Sequence, residues 1–412
     1  MRRLSLGLWL LLAGCAEDTD ALTAPLAEPA LLESSGNEYR CQLEQPIARW
    51  YDSRWQGGSL IRDGDHWAVF NGQSLHNSWE SEEHAILVRT VDAQGTPGLP
   101  RSLVRATITS RVNGVAQAGG KTALVWSGVD IDQGNQYRNQ LVVLGEGAEP
   151  LGPSRAVGPN AADFVASVQS NAARIAAADG GWALLVTSRQ SEHVIFSRVN
   201  DAGEPLGEPR DIMRTQGDFI ASSLVRFGGG YAATWATIAE AYLVLLDAHG
   251  EPTAGPWSIG TYTRGQALLA RGDELLLVYT LSEPGAGSLR LARFDRSGHI
   301  SGVHDVQPPG FGRRVEDPAL ANFGDDIALM WSEGTPIGNC GGCVLDNTLK
   351  LVVLGGTDEL PKSGVVELTN PIAKAALMRP QLGTDSERLL IVANMEWHVP
   401  MDGASAVVRC TR

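Results

Sequence analysis

The sequence contains one pattern seven times, and this recurrence limits the possible folds more than any other feature. Each copy has a branched aliphatic residue, a turn residue four positions later, and an apolar residue five positions beyond the turn. The aliphatic residues are Leu60, Val115, Ile175, Leu224, Leu268, Leu320 and Leu382. The turn positions hold Gly64, Gly119, Asp179, Gly228, Gly272, Gly324 and Ser386. The apolar residues after the turn are Val69, Leu124, Leu184, Ala233, Leu277, Leu329 and Ile391. Two unbroken apolar columns around a turn column predict seven β-hairpins of one design.

Residues 228–255 show how each hairpin extends into a larger unit. A first apolar run ends at Trp235, a second runs from Tyr242 to Leu246, and an Asp-x-x-Gly turn follows at Asp247 to Gly250. Such units recur roughly every fifty residues, a spacing typical of propeller blades. A four-stranded blade cannot bury both of its faces alone, so the blades must stack around an axis. The sequence therefore predicts an all-β fold, a seven-bladed β-propeller of four-stranded antiparallel blades. A sandwich of unrelated strands is the alternative.

The first residues have the composition of an export signal. Arg2 and Arg3 precede an apolar run, Leu4 to Leu12, that is too short to be a mature membrane-spanning helix. The run ends in Leu12-Ala13-Gly14-Cys15, which resembles the lipobox of bacterial lipoproteins. The resemblance implies that Cys15 becomes the diacylated first residue of the mature protein. The whole chain is similar to secreted bacterial β-propeller lipoproteins of the seven-bladed type.

Three parts of the chain follow from these patterns. Residues 1–15 are the predicted lipoprotein signal. Residues 16–38 carry six carboxylates, two prolines and no Lys or Arg, and such a segment buries too little apolar surface to fold. We therefore expect an acidic tether there, and a propeller over residues 39–412. The predicted location is the bacterial cell envelope, on the outer membrane or its periplasmic side, with lipid as the only membrane contact.

The charge of the chain argues against one class of partner. The formal net charge is −14, which disfavours nucleic acid or anionic lipid as the main ligand. We expect instead a protein or a glycan partner at the cell envelope.

The cysteines predict how the ring closes. Besides Cys15 the chain has Cys41, Cys340, Cys343 and Cys410, an even number that indicates disulfides in an exported protein. Four cysteines allow three pairings. The last copy of the repeat lacks its fourth strand, and the segment around Cys41 precedes the first copy without a blade of its own. We expect this N-terminal segment, up to Arg49, to supply the missing strand, with Cys41 bonded to Cys410 and Cys340 bonded to Cys343.

The Cys340-Gly-Gly-Cys343 motif has other interpretations. Redox motifs of the Cys-x-x-Cys type stand at a helix N-terminus, where the helix dipole lowers a thiol pKa. Here both flanks are glycine-rich loop in a β-repeat, which favours a local disulfide. Half of a zinc site is a further alternative, but it needs two more ligands and the chain has no second Cys pair.

Loop lengths indicate which face of the propeller binds. The first two strands of a blade are joined by tight glycine turns, and the last two by short Asp-x-x-Gly turns, all on one face. Several connections on the other face are long and differ from one another, and variable loops on a rigid scaffold are common binding sites. The candidate binding residues in or beside those loops are His76, Trp79, His84, Asp130, Asp132, Tyr137, Trp397 and His398. Calcium at Asp130-Ile-Asp132 is a weaker alternative, because a third ligand and a distal Glu are missing; otherwise we expect no cofactor.

A second set of polar residues precedes the innermost strands, at the expected axial mouth of the same face. These candidates are Arg54, Arg111, Arg264, Arg314, Glu316, Asp317 and Arg379. Propellers host many unrelated functions, so the fold alone predicts no activity. The sequence favours an interaction module that binds through the long-loop face. The alternative is a hydrolase or lyase with its active site in the axial mouth, although no Gly-x-Ser-x-Gly elbow is present.

Overall fold

The computed structural model describes sixteen stretches of the chain. They are residues 30–31, 38–50, 56–74, 84–130, 138–158, 172–188, 193–215, 219–237, 239–261, 263, 265–283, 286–311, 313–336, 344–369, 376–396 and 402–412. Apart from a short 3-10 turn at Glu146–Ala148, the regular elements in these stretches are β-strands.

Three short strands precede the first blade: β1 (Ala30–Leu31), β2 (Arg40–Leu43) and β3 (Ala48–Trp50). Blade 1 consists of β4 (Gln56–Asp63), β5 (His66–Ser74), β6 (His84–Val91) and the first half of β7 (Arg101–Ala118). Blade 2 consists of the second half of β7 with β8 (Lys121–Asp130), β9 (Arg138–Leu144) and β10 (Arg155–Ala156). Blade 3 consists of β11 (Ala172–Ala178), β12 (Gly181–Ser188), β13 (His193–Asn200) and β14 (Arg210–Arg214).

The remaining blades follow the same order. Blade 4 consists of β15 (Phe219–Phe227), β16 (Gly230–Thr237), β17 (Glu240–Leu246) and β18 (Pro252–Thr261). Blade 5 consists of β19 (Gln266–Arg271), β20 (Glu274–Glu283), β21 (Ala286–Phe294) and β22 (Ile300–Phe311). Blade 6 consists of β23 (Arg314–Phe323), β24 (Asp326–Pro336), β25 (Val344–Leu354) and β26 (Val366–Thr369). Blade 7 consists of β27 (Ala376–Thr384), β28 (Arg388–Glu396) and β29 (Asp402–Thr411), completed by β2 and β3.

These blades form a closed ring, which confirms the predicted seven-bladed β-propeller for the described part of the chain. Each blade is an antiparallel meander, and we label its strands A to D from the axis outward. The innermost strands contact one another around the whole circle, in the order β4, β7, β11, β15, β19, β23, β27 and back to β4.

The repeat columns of the sequence are cross-strand pairs in the structure. The aliphatic residue of strand A lies directly opposite the apolar residue of strand B in every blade. The pairs are Leu60–Val69, Val115–Leu124, Ile175–Leu184, Leu224–Ala233, Leu268–Leu277, Leu320–Leu329 and Leu382–Ile391. Since side chains alternate between the faces of a strand, a slip of one residue would move the whole column to the other face. The sevenfold pattern therefore sets the register of each hairpin.

The hydrophobic core is divided among the interfaces between blades. Seven clusters of buried apolar side chains are present among the described residues, and each joins two neighbouring blades. The large residues five positions beyond the first residue of strand B fill several of them. Trp126, Trp235, Tyr279 and Trp331 are all buried against the preceding blade. Truncation of such a side chain to alanine typically costs about 3–5 kcal/mol.

The Asp-x-x-Gly turns between strands C and D make a second recurring contact between blades. The first residue of the turn is Asp or Asn, and its side-chain oxygen accepts two backbone N–H groups, as Asp247 does from His249 and Glu251. The glycine that closes the turn has a positive φ and faces the preceding blade. Gly250 lies against Phe196, and Gly298 lies against Trp257. A Cβ on either glycine would overlap an aromatic ring, so these positions require glycine.

The N-terminal segment closes the ring as predicted. Strand β2 pairs antiparallel with β29, and β3 extends the same edge. Cys41 and Cys410 face each other and form a disulfide across a sequence separation of 369 residues. The chain-entropy model assigns such a closure about 6 kcal/mol, whereas measured bridges typically contribute about 2–4 kcal/mol. The predicted Cys340–Cys343 bond lies outside the described residues.

A buried carboxylate reinforces this closure. Asp326, which is 2% exposed, starts the second strand of blade 6. It accepts hydrogen bonds from the Tyr39 hydroxyl at 2.7 Å and from the Arg412 guanidinium at 2.9 Å, and it pairs with Lys362 at 3.2 Å. Burial raises the pKa of the Asp326 carboxyl, but the bonds from Tyr39 and Arg412 outweigh that effect and hold it below its ordinary value. Tyr39, next to strand β2, and Arg412, which follows β29, are thus held against one ionised group.

One short strand lies in the stretch predicted to be an acidic tether. Ala30–Leu31 pairs in parallel with His304 and Asp305 at the outer edge of blade 5. Within the described residues, no helix has both the length and the apolar character needed to cross a membrane. The predicted signal segment, including Cys15, lies outside those residues.

The requirement for glycine at the outer turns gives a testable prediction. Gly298→Ala should lower the free energy of unfolding by about 2–4 kcal/mol, because left-handed strain adds to overlap with Trp257. Gly64→Ala is the matched control, since Gly64 also has a positive φ but nothing within 4 Å of the added Cβ. It should lose only about 1 kcal/mol. Chemical denaturation of both variants measures the difference, and equal losses would show that the turn does not pack on Trp257.

Candidate functional site

The axial mouth lies on the face of the propeller that carries the connections between strands B and C. Because neighbouring strands run in opposite directions, strand A starts on this face and strand B ends on it. Blades 6, 7, 1 and 2 have the longer B-to-C connections, and these blades are consecutive in the ring. The connections join Pro336 to Val344, Glu396 to Asp402, Ser74 to His84 and Asp130 to Arg138. In blades 4 and 5 only two residues separate the two strands.

The innermost strands are irregular on this side. In blades 1, 4, 6 and 7, strand A carries one extra residue near its start, and the register with strand B shifts there. In blade 2 the register shifts at two places. Bulges of this kind redirect side chains and are frequent next to active sites and barrel rims. The ring is thus regular where it holds the fold together and irregular around one mouth.

Two bulges contain non-glycine residues in a left-handed conformation. Asp317 in blade 6 and Arg379 in blade 7 occupy the same position of the repeat, and each has φ 50°. Each stands before a proline, which further disfavours helical backbone angles. Left-handed backbone costs an ordinary residue about 1–2 kcal/mol, and such strain tends to accumulate at functional sites. The surrounding contacts must hold both residues in place.

The backbone at Arg379 is fixed by the neighbouring blade. Its N–H donates to the Asp317 carboxylate at 3.0 Å. On the other side of Asp317, Gly265 of blade 5 approaches so closely that a Cβ there would lie 2.6 Å from the Pro318 Cδ. Side chains at this point would push the strands of blades 5 and 6 apart. Asp317 therefore links three consecutive blades at the mouth.

Arg174 of blade 3 links the opposite side of the mouth. Its Nη1 donates to the Asn113 carbonyl of blade 2 at 2.7 Å, and its Nε donates to the Ser222 carbonyl of blade 4 at 2.8 Å. Gln266 of blade 5 continues the chain of contacts with a long hydrogen bond of 3.5 Å to the Ala221 carbonyl. We call Asn113, Arg174, Ser222, Gln266, Asp317 and Arg379 the axial collar.

The collar places two cationic groups where they repel each other. Burial, together with repulsion from Arg379, lowers the pKa of the Arg174 guanidinium to about 10. Blades 3 and 7 are not neighbours, so this interaction runs across the axis of the ring. Among the described residues, no carboxylate lies within ion-pair distance of either guanidinium. The Arg174 side chain is half-buried and the Arg379 side chain is exposed.

Other charges at the mouth are balanced locally. Arg314 pairs with Glu316 at 2.6 Å, and both side chains are 11% exposed. The buried Glu333 carboxylate lies between Arg313 at 2.6 Å and Lys350 at 2.9 Å. These pairs stabilise blade 6. They leave Arg174 and Arg379 as the two collar cations without such a partner in the described part of the chain.

The structure therefore brings together part of the predicted axial set. Arg314, Glu316, Asp317 and Arg379 lie at the mouth, and Arg111 lies on strand A of blade 2, opposite Ser127. Arg54 and Arg264 lie outside the described residues.

Most of the predicted loop residues lie outside the described part of the chain. His84 begins β6 and is buried, with 4% exposure, and Asp130 ends β8 opposite Ala106. The other six candidates, His76, Trp79, Asp132, Tyr137, Trp397 and His398, lie outside the described residues. No group of three His, Cys, Asp or Glu side chains within the described ranges is arranged to hold a metal ion.

Sequence reasoning missed Arg174, which is central to the collar. Its signal was present, because the strand reads Ala-Ala-Arg-Ile-Ala-Ala-Ala and the arginine is the one charged residue in it. At the same position of the repeat the other blades have Ser59, Gly114, Ser223, Ala267, Ala319 and Gln381. A lone arginine in an innermost strand must find partners near the axis.

Comparisons with known proteins add a general likeness of fold. No protein family model and no curated protein matches the chain. A Trypanosoma rangeli sialidase in complex with sialic acid is 9% identical, with a TM-score of 0.44 over 92% of this chain and 59% of that one. A thermostable family-43 glycoside hydrolase is 12% identical, with a TM-score of 0.37 over 58% of this chain and 88% of that one. A DUF4623 family protein from Bacteroides eggerthii is 8% identical, with a TM-score of 0.43 over 92% and 77%. Similarity at this level says nothing about activity.

The strained backbone at Arg379 can be tested directly. Arg379→Gly should be more stable than Arg379→Ala by about 1 kcal/mol, since glycine adopts the left-handed conformation without a Cβ penalty. Arg210 is the control, because it is an exposed arginine in a strand with ordinary backbone angles. There the glycine variant should be the less stable of the two, by about 0.5–1 kcal/mol. Denaturation midpoints of the four variants measure this, and the same order at both positions would contradict the strain at Arg379.

Proposed function

We propose that this protein is an interaction module of the bacterial cell envelope, anchored through a lipid on Cys15, and that it binds its partner at the axial collar and the long loops around it. The observation that carries the proposal is the collar itself. Two residues are held in a strained conformation there, although glycine at either position would remove the strain. Surrounding contacts must offset this strain. Binding of a ligand by the two side chains would explain why the strain is present.

A glycan suits this mouth better than a protein surface does. Binding of a protein usually depends on apolar or aromatic anchors in the centre of an interface. The described part of the collar offers instead the planar guanidinium groups of Arg174 and Arg379. The exposed large apolar side chains of the described residues stand elsewhere, and they are Leu43, Leu99, Leu151, Leu206 and Val365. Aromatic faces for sugars would come from the predicted loop residues Trp79, Tyr137 and Trp397.

Binding can be tested on immobilised glycan and peptide arrays. Retention of the labelled protein should fall about tenfold or more for Asp317→Ala, because the carboxylate that positions Arg379 is lost. Asp179→Ala is the matched control, since Asp179 pairs with Arg226 on the opposite face. It should bind like the unaltered protein. Retention on peptides but not on glycans would show that the partner is a protein. An equal loss of retention in both variants would show that the site lies away from the collar.

The lipid anchor is tested separately. Cys15→Ser removes the thiol that would be acylated, so the variant should leave the membrane fraction and remain in the soluble fraction. Fractionation of the producing bacteria after a salt wash measures the distribution. A variant that still sediments with membranes would show that another feature holds the protein there.

A second candidate function is a hydrolase that cleaves a glycan at the same mouth. A glycoside hydrolase and a sialidase are among the similar structures, but a likeness of fold carries no activity, so this candidate rests on the collar. The specific observation is that Asp317, held in a left-handed conformation at the mouth, directly follows Glu316 in the sequence, so one bulge carries two carboxyl groups. Paired carboxylates are the usual catalytic groups for glycoside hydrolysis.

Turnover separates the two functions. A hydrolase should release product from bound glycans or aryl glycosides, and Asp317→Asn should abolish release while retention on the array persists. The Asn side chain keeps an acceptor for the Arg379 N–H but cannot act as a base or nucleophile. An interaction module should retain its glycan and release no product, and the Glu316→Gln variant should likewise release none.

A further inference from the structure

The guanidinium group of Arg174 is oriented by the backbone of two neighbouring blades. The Asn113 carbonyl accepts a hydrogen bond from Nη1, and the Ser222 carbonyl accepts one from Nε. A guanidinium has five N–H donors, so three remain. Among the described residues these three have no hydrogen-bond partner. The carbonyls of blades 2 and 4 thus fix the orientation of the guanidinium plane and with it the direction of the remaining N–H groups. No carboxylate of the described residues neutralises the guanidinium charge.

Arg379 provides the second cation from the far side of the ring. Its backbone is held by Asp317 in a conformation that few arginines adopt, and its side chain is exposed. Both residues lie near the start of an innermost strand, at the same mouth of the ring. Burial, with repulsion from Arg379 as the smaller cause, lowers the pKa of the Arg174 guanidinium. Two cationic groups at one mouth are stabilised when an anion lies between them.

We propose that the axial collar binds one oxyanion group of the ligand, a carboxylate, sulfate or phosphate, between the guanidinium groups of Arg174 and Arg379. Planar guanidinium groups bind such groups through paired, charge-assisted hydrogen bonds. This inference rests on the proposed function and narrows its ligand to an acidic one. The chain as a whole carries a net charge of −14, which repels extended polyanions. A single acidic group on an otherwise neutral ligand therefore fits the site best.

Small anions test the site without knowledge of the full ligand. The purified full-length chain is titrated with sulfate, phosphate or glucuronate in a chloride buffer, with glucose as the neutral control. Isothermal titration and the thermal midpoint are read together. We expect saturable binding of at least one anion and none of glucose. The anion that binds most tightly identifies whether the ligand carries a carboxylate, a sulfate or a phosphate.

Three variants assign the binding to the collar. Arg379→Ala removes an exposed side chain and should weaken anion binding about tenfold to a hundredfold, the loss expected for charge-assisted hydrogen bonds. Arg174→Gln should do the same; if this variant does not fold, Arg379→Ala alone decides. Arg226→Gln is the matched control, because it removes one positive charge from the opposite face. It should bind anions normally.

The outcomes separate this inference from the proposed function. Absence of saturable binding, unchanged affinity in Arg379→Ala, or equal loss in Arg226→Gln overturns the anion site. If the anion site is overturned but the protein is retained on an array of neutral glycans, the proposal of an interaction module is kept and the proposal of an acidic ligand is wrong. If anions bind through Arg174 and Arg379 but no array glycan or peptide is retained, the anion site stands and the proposed class of partner fails.

Discussion

The structure depends on the need of each blade to cover both of its faces. A four-stranded sheet of this composition has apolar side chains on two sides, and no single blade can shield them from water. In the described ranges seven clusters satisfy this need, and each is shared by two neighbouring blades rather than belonging to one. Stability in such an arrangement is a sum of contacts between neighbours. Closure of the circle matters because an open ring would leave two blade faces exposed.

Closure in this protein uses three kinds of interaction at one place. Strand pairing joins β2 to β29, and the Cys41–Cys410 bond makes the connection covalent. The Asp326 carboxylate accepts hydrogen bonds from Tyr39, next to β2, and from Arg412, which follows β29. The interface between blades 7 and 1 contains two tryptophans, Trp50 and Trp67, in one cluster. A frame closed so firmly can hold strained residues at the axis without opening.

The fold was readable from the sequence because its register is periodic. The pairing of Leu60 with Val69 and its six equivalents follows from spacing alone. The missing strand of blade 7 predicted that the segment around Cys41 pairs there and that Cys41 bonds to Cys410. The candidate site was readable only in part. Asp317 and Arg379 were chosen for charge and position, but their left-handed backbone has no sequence signature except the proline after each one. Arg174 was missed, because its partners are backbone carbonyls of other blades, and carbonyls exist at every position of a sequence.

The pairing of β2 with β29 also determines the order in which the molecule can be assembled. Residues 40–43 are synthesised before any blade exists, whereas β29 follows all six other blades. In an oxidising compartment the Cys41 thiol must therefore wait for Cys410 while Cys340 and Cys343 are already available to react. A bond formed too early would trap the N-terminal strand away from blade 7. A free thiolate can reverse such a bond by attacking the disulfide through a mixed intermediate, so exchange between thiols and disulfides would return the N-terminal strand to blade 7.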